Sequence, residues 1–252
     1  MYDLQKASLL KRFSAFLLDF ILMTIALTGF AFLISVVTGY GSHIDTITEK
    51  RAYYEEKYSV DFDIDPEDYY AMPENEQSEI DDAYEIFYND KEVIYAYNMT
   101  FNLTLIMITL STCLSFLLLE FAIPMILKNG QTVGKKIFGI GIVHVNGVKM
   151  RGVALFARTL LGKCTIEVLV PVMILFTMLF GQGGVVGIAV LGLILVLEIF
   201  VFFKDKLHTP IHDVLSHTVC VDLASQMIFE TEDELIAYKA KLHKETVDDV
   251  HE

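Results

Sequence analysis

GQTVGKKIFGIGIVHVNG, residues 130–147, decides between two kinds of protein. Read as a phosphate-binding loop, it would set a nucleotide on a soluble α/β domain. Read as a surface loop between apolar segments, it belongs to a membrane protein. Spacing rejects the first reading. A P-loop needs Gly, four residues and then Gly-Lys-Ser/Thr, so that backbone N–H groups ring the phosphates and the hydroxyl reaches the metal. Gly130 is followed by Gly134 one position too early, and Lys136 stands where the hydroxyl should be. From Gly139, GIGIVH lacks the third glycine of a dinucleotide fingerprint.

The flanks point to a membrane. The 252 residues are 54% hydrophobic yet include 33 acids, with a mean hydropathy of +0.47. Those facts are compatible only if acids and apolar residues are segregated along the chain. Four apolar stretches stand out: Phe13–Thr38, Thr100–Leu127, Cys164–Phe180 and Val185–Phe203. The first, second and fourth can cross a hydrocarbon core of about 30 Å. The third is short and contains Pro171, but Gly181-Gln-Gly-Gly184 offers a tight turn into the fourth. The alternative for 164–203 is one re-entrant hairpin. The first stretch is too long for a signal-peptide core and ends at no clear cleavage site, so it reads as an uncleaved anchor.

Charge suggests orientation. Loop 128–163 holds seven basic residues and no acid, and Lys6, Lys11 and Arg12 precede the first span. Basic loops stay in the cytoplasm, so both termini are expected inside the cell membrane, with the lysines of the quoted stretch against lipid headgroups. Residues 39–98 carry 17 acids against four bases, a net of −13. This acidic cap is expected outside, and it excludes a nucleic-acid surface. The expected fold is an α-helical integral membrane protein, a four-helix transmembrane bundle. Its parts are 1–38 (N-terminal segment and first span), 39–99 (acidic, mainly helical extracytoplasmic insert), 100–127 (second span), 128–163 (basic cytoplasmic loop), 164–203 (third and fourth spans) and 204–252 (junction and helical tail).

Finer expectations follow. Asp65-Pro66 and Pro73-Glu74 read as helix starts, with proline at the first turn. In the basic loop, Ile137–Val145 reads as a strand, Asn146-Gly147 as a hairpin turn and Val148–Met150 as the return. Gly152–Gly162 reads as a short amphipathic helix, and Thr231-Glu-Asp-Glu234 as a capping box that opens a helix through Lys244.

Charged residues inside spans are costly and usually face the bundle interior. Asp19, Glu120, Glu167 and Glu198 all fall in the cytoplasmic half, roughly 6–12 Å from the flanking basic residues at a rise of about 1.5 Å per residue. One acid per helix could form a shared proton or cation site. Alternatively, Glu167 and Glu198 pair with nearby Lys163 and Lys204. Arg12, Phe16 and Asp19 share a helix face, and Asp19 is expected to find its partner on another segment. His208, His212, Asp213 and His217 crowd the end of the last span, but their spacing matches no zinc pattern, so a hydrogen-bonded junction is expected. Asp61, Asp63 and Asp65 alternate like a calcium loop, but Pro66 and Met72 exclude an EF-hand. Cys113, Cys164 and Cys220 make no disulfide framework. No nucleophile triad or metalloprotease motif appears, so no enzyme activity and no cofactor are expected.

Three pieces carry a resemblance: Arg12-Phe-Ser-Ala-Phe-Leu-Leu-Asp19, Gly130-Gln-Thr-Val-Gly-Lys-Lys-Ile-Phe-Gly139, and His212-Asp213-Val-Leu-Ser-His-Thr218-Val-Cys-Val. Together they resemble the RDD family of bacterial membrane proteins, named for one arginine and two aspartates. The resemblance covers roughly 1–38 and 100–222. It implies that Arg12 is the signature arginine, Asp19 the first aspartate and Asp213 the second, with Arg158 a further recurring arginine. It also implies transport, with a monovalent cation exchanged for a proton. The alternative is a non-transporting adaptor or regulator that binds a protein partner through the acidic segment. The bundle is small enough that a homo-oligomer would help a transporter.

Overall fold

The structure, a computed structural model, describes residues 4–127, 130–179, 181, 184–204 and 209–248. His208 and residues 182 and 183 of the 181–184 turn lie outside them. Among the described residues four helices are long and apolar enough to cross a membrane: Leu9–Thr38, Lys91–Leu127, Gly152–Leu179 and Gly184–Lys204. The elements run α1 (Leu9–Thr38), α2 (Tyr40–Tyr58), α3 (Pro66–Ala71), α4 (Glu74–Asn89), α5 (Lys91–Phe116), a π-helical segment (Leu117–Ala122) and α6 (Ile123–Leu127). Then come α7 (Val133–Ile137), β1 (Ile140–His144), α8 (Gly152–Phe156), a second π-helical segment (Ala157–Leu169), α9 (Val170–Leu179), α10 (Gly184–Lys204), α11 (Ile211–Leu215), β2 (Thr218–Asp222) and α12 (Glu232–Asp248). Two compact units make up the chain: Met1–Leu27 with Thr112–Glu252, and Thr28–Ser111.

The spans begin earlier than hydropathy alone suggests. The expected amphipathic helix at 152–162 and the third span are one continuous helix, α8 through α9. Pro124 and Pro171 each lie within two residues of the end of a π-helical segment. Proline lacks an N–H and crowds the carbonyl four residues back. A wider helical turn before it relieves that crowding, and such turns often mark functional positions. Glu120 and Arg158 both lie in these widened turns.

The loop quoted above folds differently from the expected hairpin. Gly134 to Ile137 belong to α7, and β1 starts only at Ile140. The Asn146-Gly147 turn forms, with Gly147 at φ 87°, but among the described residues the return segment joins β1 by a single bridge, Val143 to Lys149, and its Val148 bridges Phe229 instead. The main partner of β1 is β2, antiparallel, from Ile140 opposite Asp222 to His144 opposite Thr218. The reason lies in the side chains. Strands alternate faces, and Ile140 and Ile142 pack with Ala7, Ala15 and Cys220 on one side. Val143 packs with Val219 and Val221 on the other. Val148–Met150 offers no second apolar face of that length. The N-terminal segment lines the free edge of β2: Ala7 N–H donates to Cys220 O, and Asp222 N–H to Gln5 O. This small sheet therefore ties together the entry to α1, the exit of α7 and the exit of α11.

The unit Thr28–Ser111 contains the acidic segment. Asp65 caps α3, accepting from Glu67 N–H at 3.0 Å, with Pro66 at the first turn. Tyr54, Phe62, Ala83, Phe87 and Val93 form its apolar core. Several of its acids are used internally. Arg51 pairs with Glu55 and Asp63, and Lys50 with Asp90 and Glu92. Asp61 accepts from Asp63 N–H, so the alternating aspartates stabilise a turn. Among the described residues no group of acids, histidines and cysteines could hold a metal ion.

Candidate functional site

A cavity of about 500 Å³ opens within the unit that contains the sheet. Its lining gathers Arg12 and Asp19 from α1, Arg158 and Glu167 from the second π-helical segment, Glu198 from α10 and Asp213 from α11. Lys135, Lys163, His212 and Cys220 complete its polar wall. Of the seven candidate residues, Glu120 alone is not in the lining. Its carboxylate pairs with Lys163, and its backbone oxygen accepts from Thr159 Oγ1 at 3.0 Å. Asp19 and Glu120 thus have separate partners rather than a shared proton.

Asp19 answers what the quoted stretch does. Thr132 is the N-cap of α7, and its hydroxyl accepts from Lys135 N–H at 3.3 Å. The same hydroxyl donates to Asp19 Oδ2 at 2.5 Å, and Gly134 N–H donates to Asp19 Oδ1 at 2.7 Å. The positive end of a helix favours such a carboxylate. Gly134 is required by proximity. A Cβ there would lie 2.9 Å from the Asp19 Cγ and nearer still to the Ala15 carbonyl oxygen. Of the two lysines that follow, Lys136 is exposed while Lys135 turns into the cavity, so only one of them has the surface position expected from sequence.

At the far wall, Arg158 Nε donates to Asp213 Oδ1 at 2.6 Å. The two side chains are 2% and 1% exposed, a dry ion pair. Thr218 Oγ1 donates to the same Asp213 oxygen at 2.8 Å. Burial by itself would raise the Asp213 pKa; the guanidinium, His212 and the threonine hydroxyl outweigh it and hold the carboxyl well below the usual range. Burial pushes the His212 pKa down despite the pull of Asp213. The neutral ring then has one tautomer that satisfies both sides: Nδ1–H donates to Glu167 at 2.8 Å, and Nε2 accepts from Arg158 Nη2 at 2.9 Å.

Glu167 and Glu198 converge on the start of α11 rather than on Lys163 and Lys204. Glu167 accepts from His212 N–H at 3.0 Å and Glu198 from Ile211 N–H at 3.3 Å. Gly162 lets α11 approach this closely, since a Cβ there would meet the His212 Cβ at 2.7 Å. The junction that the histidine-rich stretch suggested is therefore built from His212 and Asp213. Among residues that sequence reasoning passed over, Thr132 had a usable signal, a threonine directly before VGKKI, the N-cap preference. Thr218 had none, and Lys135 was expected at the membrane surface rather than in the cavity.

No curated protein and no solved structure matches the chain. The model of the RDD family matches residues 6–217. That span takes in the α1 motif with Arg12 and Asp19, the Asp19-binding loop, and the Arg158–Asp213 pair. With four helices apolar and long enough to cross a bilayer, this chain is a multi-pass membrane protein, and it belongs to the RDD family.

Proposed function

We propose that the protein is a cation- or proton-coupled transporter whose central cavity holds the transported species, with the basic loop and both termini on the cytoplasmic side of the cell membrane. The supporting observation is the cavity itself. Four cationic residues (Arg12, Lys135, Arg158, Lys163) and four acids (Asp19, Glu167, Glu198, Asp213) meet in one space among apolar spans. Charge gathered within and at the ends of apolar spans in this way is characteristic of solute and ion pathways. The roles divide by partner. Asp19 and Asp213 are held by strong donors and serve as scaffold. Among the described residues Glu198 has one backbone donor and a buried Oε2 without a hydrogen-bond partner, which suits it to take up and release a proton.

The test is flux. Purified protein in liposomes loaded with a pH-sensitive dye receives a sodium or potassium jump. Cation-driven proton movement is expected for the wild type and is lost in Glu198→Gln. Asp19→Asn is a poorer variant, because it alters the anchor of α7. No flux from intact wild type would sink transport. It would favour the second reading, an adaptor or regulator that binds a protein partner through the acidic insert, itself a compact unit with its own apolar core.

A further inference from the structure

The cavity is unevenly satisfied, in a way that specifies a ligand. Arg158 is 2% exposed, yet its Nη1 has no hydrogen-bond partner among the described residues. Lys135 lines the same cavity and forms no ion pair among those residues. Burial lowers its pKa, and Arg158 pushes the same way against the pull of Glu120. Asp213 pairs with Arg158 Nε, so what this pole still lacks among the described residues is a partner for Lys135 and for Arg158 Nη1. The other pole has the opposite deficit. Glu198 Oε2 is buried without a hydrogen-bond partner among the described residues, and the neighbouring Glu167 carboxylate, itself held by the ring and the backbone N–H of His212, repels it. Phe13, Phe16 and Phe202 line the same cavity.

Buried charge without a partner is expensive, and pairing relieves it. A metal cation would satisfy only the Glu198 pole, and a free anion only the Lys135 pole. One molecule with both charges satisfies the two together and brings no net charge into the membrane. Building on the reading of the cavity as a solute site, we propose that it binds a small zwitterion with an apolar body. The anionic group meets Lys135 and Arg158 Nη1, and the ammonium group meets Glu198. The volume lies in the range of small-molecule sites, about 300–1,000 Å³. A free amino acid and a zwitterionic lipid headgroup share this chemistry.

Calorimetry on the full-length protein in detergent tests it with matched probes: L-leucine, L-leucinamide (cation only) and 4-methylpentanoate (anion only). Glycerophosphoethanolamine, compared with ethanolamine and glycerol 3-phosphate, represents the lipid source. At least one zwitterion should bind at least about tenfold more tightly than both of its single-charge analogues, since each analogue forgoes one charge-assisted contact. Leucine binding identifies a free solute as the source; headgroup binding identifies lipid. Lys135→Gln and Glu198→Gln should each weaken zwitterion binding about tenfold or more, while Lys135→Arg retains it. Melting temperatures confirm that the variants are folded. Zwitterions that bind no better than their analogues, or not at all, overturn the assignment. Proton flux from the same preparation in that case leaves transport standing; zwitterion binding without flux removes transport and keeps the site.

Discussion

Removing one partner of the Arg158–Asp213 pair should be among the most damaging single changes in the protein. In Arg158→Met the Asp213 carboxylate stays 1% exposed with the Thr218 hydroxyl, 2.8 Å away, as its nearest donor. In Asp213→Leu the guanidinium is stranded instead, with His212 Nε2 as its one remaining hydrogen-bond partner among the described residues. Breaking a buried pair from one side costs about 3–5 kcal/mol, because the remaining charge is still out of water. For a chain of this size that corresponds to a melting point lower by roughly 10 °C. The double variant removes both charges, and its residual cost is that of the unmet His212 and Thr218 groups, about 1–3 kcal/mol each. It should therefore be no less stable than the worse single variant, with a coupling above about 2 kcal/mol. Unfolding in mixed micelles, followed by circular dichroism because the chain has no tryptophan, measures all four proteins. Single costs below about 1 kcal/mol, or strict additivity, would show that the pair is neither dry nor coupled.

Gly134→Ala should destabilise the α7 anchor by about 1–3 kcal/mol through overpacking, since its Cβ would press on Asp19 and on the Ala15 carbonyl; an unchanged melting curve would mean that α1 and α7 are not this close. Stability should also fall as pH drops below about 6.5, the ordinary histidine value. Folding lowers the His212 pKa, so in that window the unfolded chain binds a proton that the folded one does not. His212→Gln should flatten the slope of melting temperature between pH 8 and 5, and an unaltered slope would remove His212 from the account. The Asp213 contribution behaves likewise at far lower pH, lost only as pH falls through its depressed folded value. In the acidic unit, Phe87→Ala should cost about 3–5 kcal/mol, because the ring is 2% exposed in the core with Tyr54 and Phe62. Hydrogen exchange across residues 40–89 should show it as faster opening, and unchanged protection would place Phe87 outside the core.

Much was legible without tertiary structure. Span positions follow from hydropathy, which is local and additive along the chain, so runs such as Val185–Phe203 could hardly be anything else. Asp65-Pro66 marked a helix start because a cap and a fixed φ act within one turn. The family was readable from three short motifs. Pairing across distance was not readable. The Ile137–Val145 stretch looked like half of a local hairpin, yet its partner comes from 218–222, because apolar faces choose partners by burial rather than by proximity in sequence. Glu167 was nearer in sequence to Lys163, but Lys163 went to Glu120 and Glu167 to His212. Adjacent lysines on a helix point about 100° apart, and only packing decided that Lys135 would turn inward. Composition and periodicity thus determined that this chain enters a membrane, and roughly where. The pairing of its charges was decided by tertiary structure, because the energy of a buried charge depends on which atoms lie within a few ångströms of it, and those atoms come from every part of the chain.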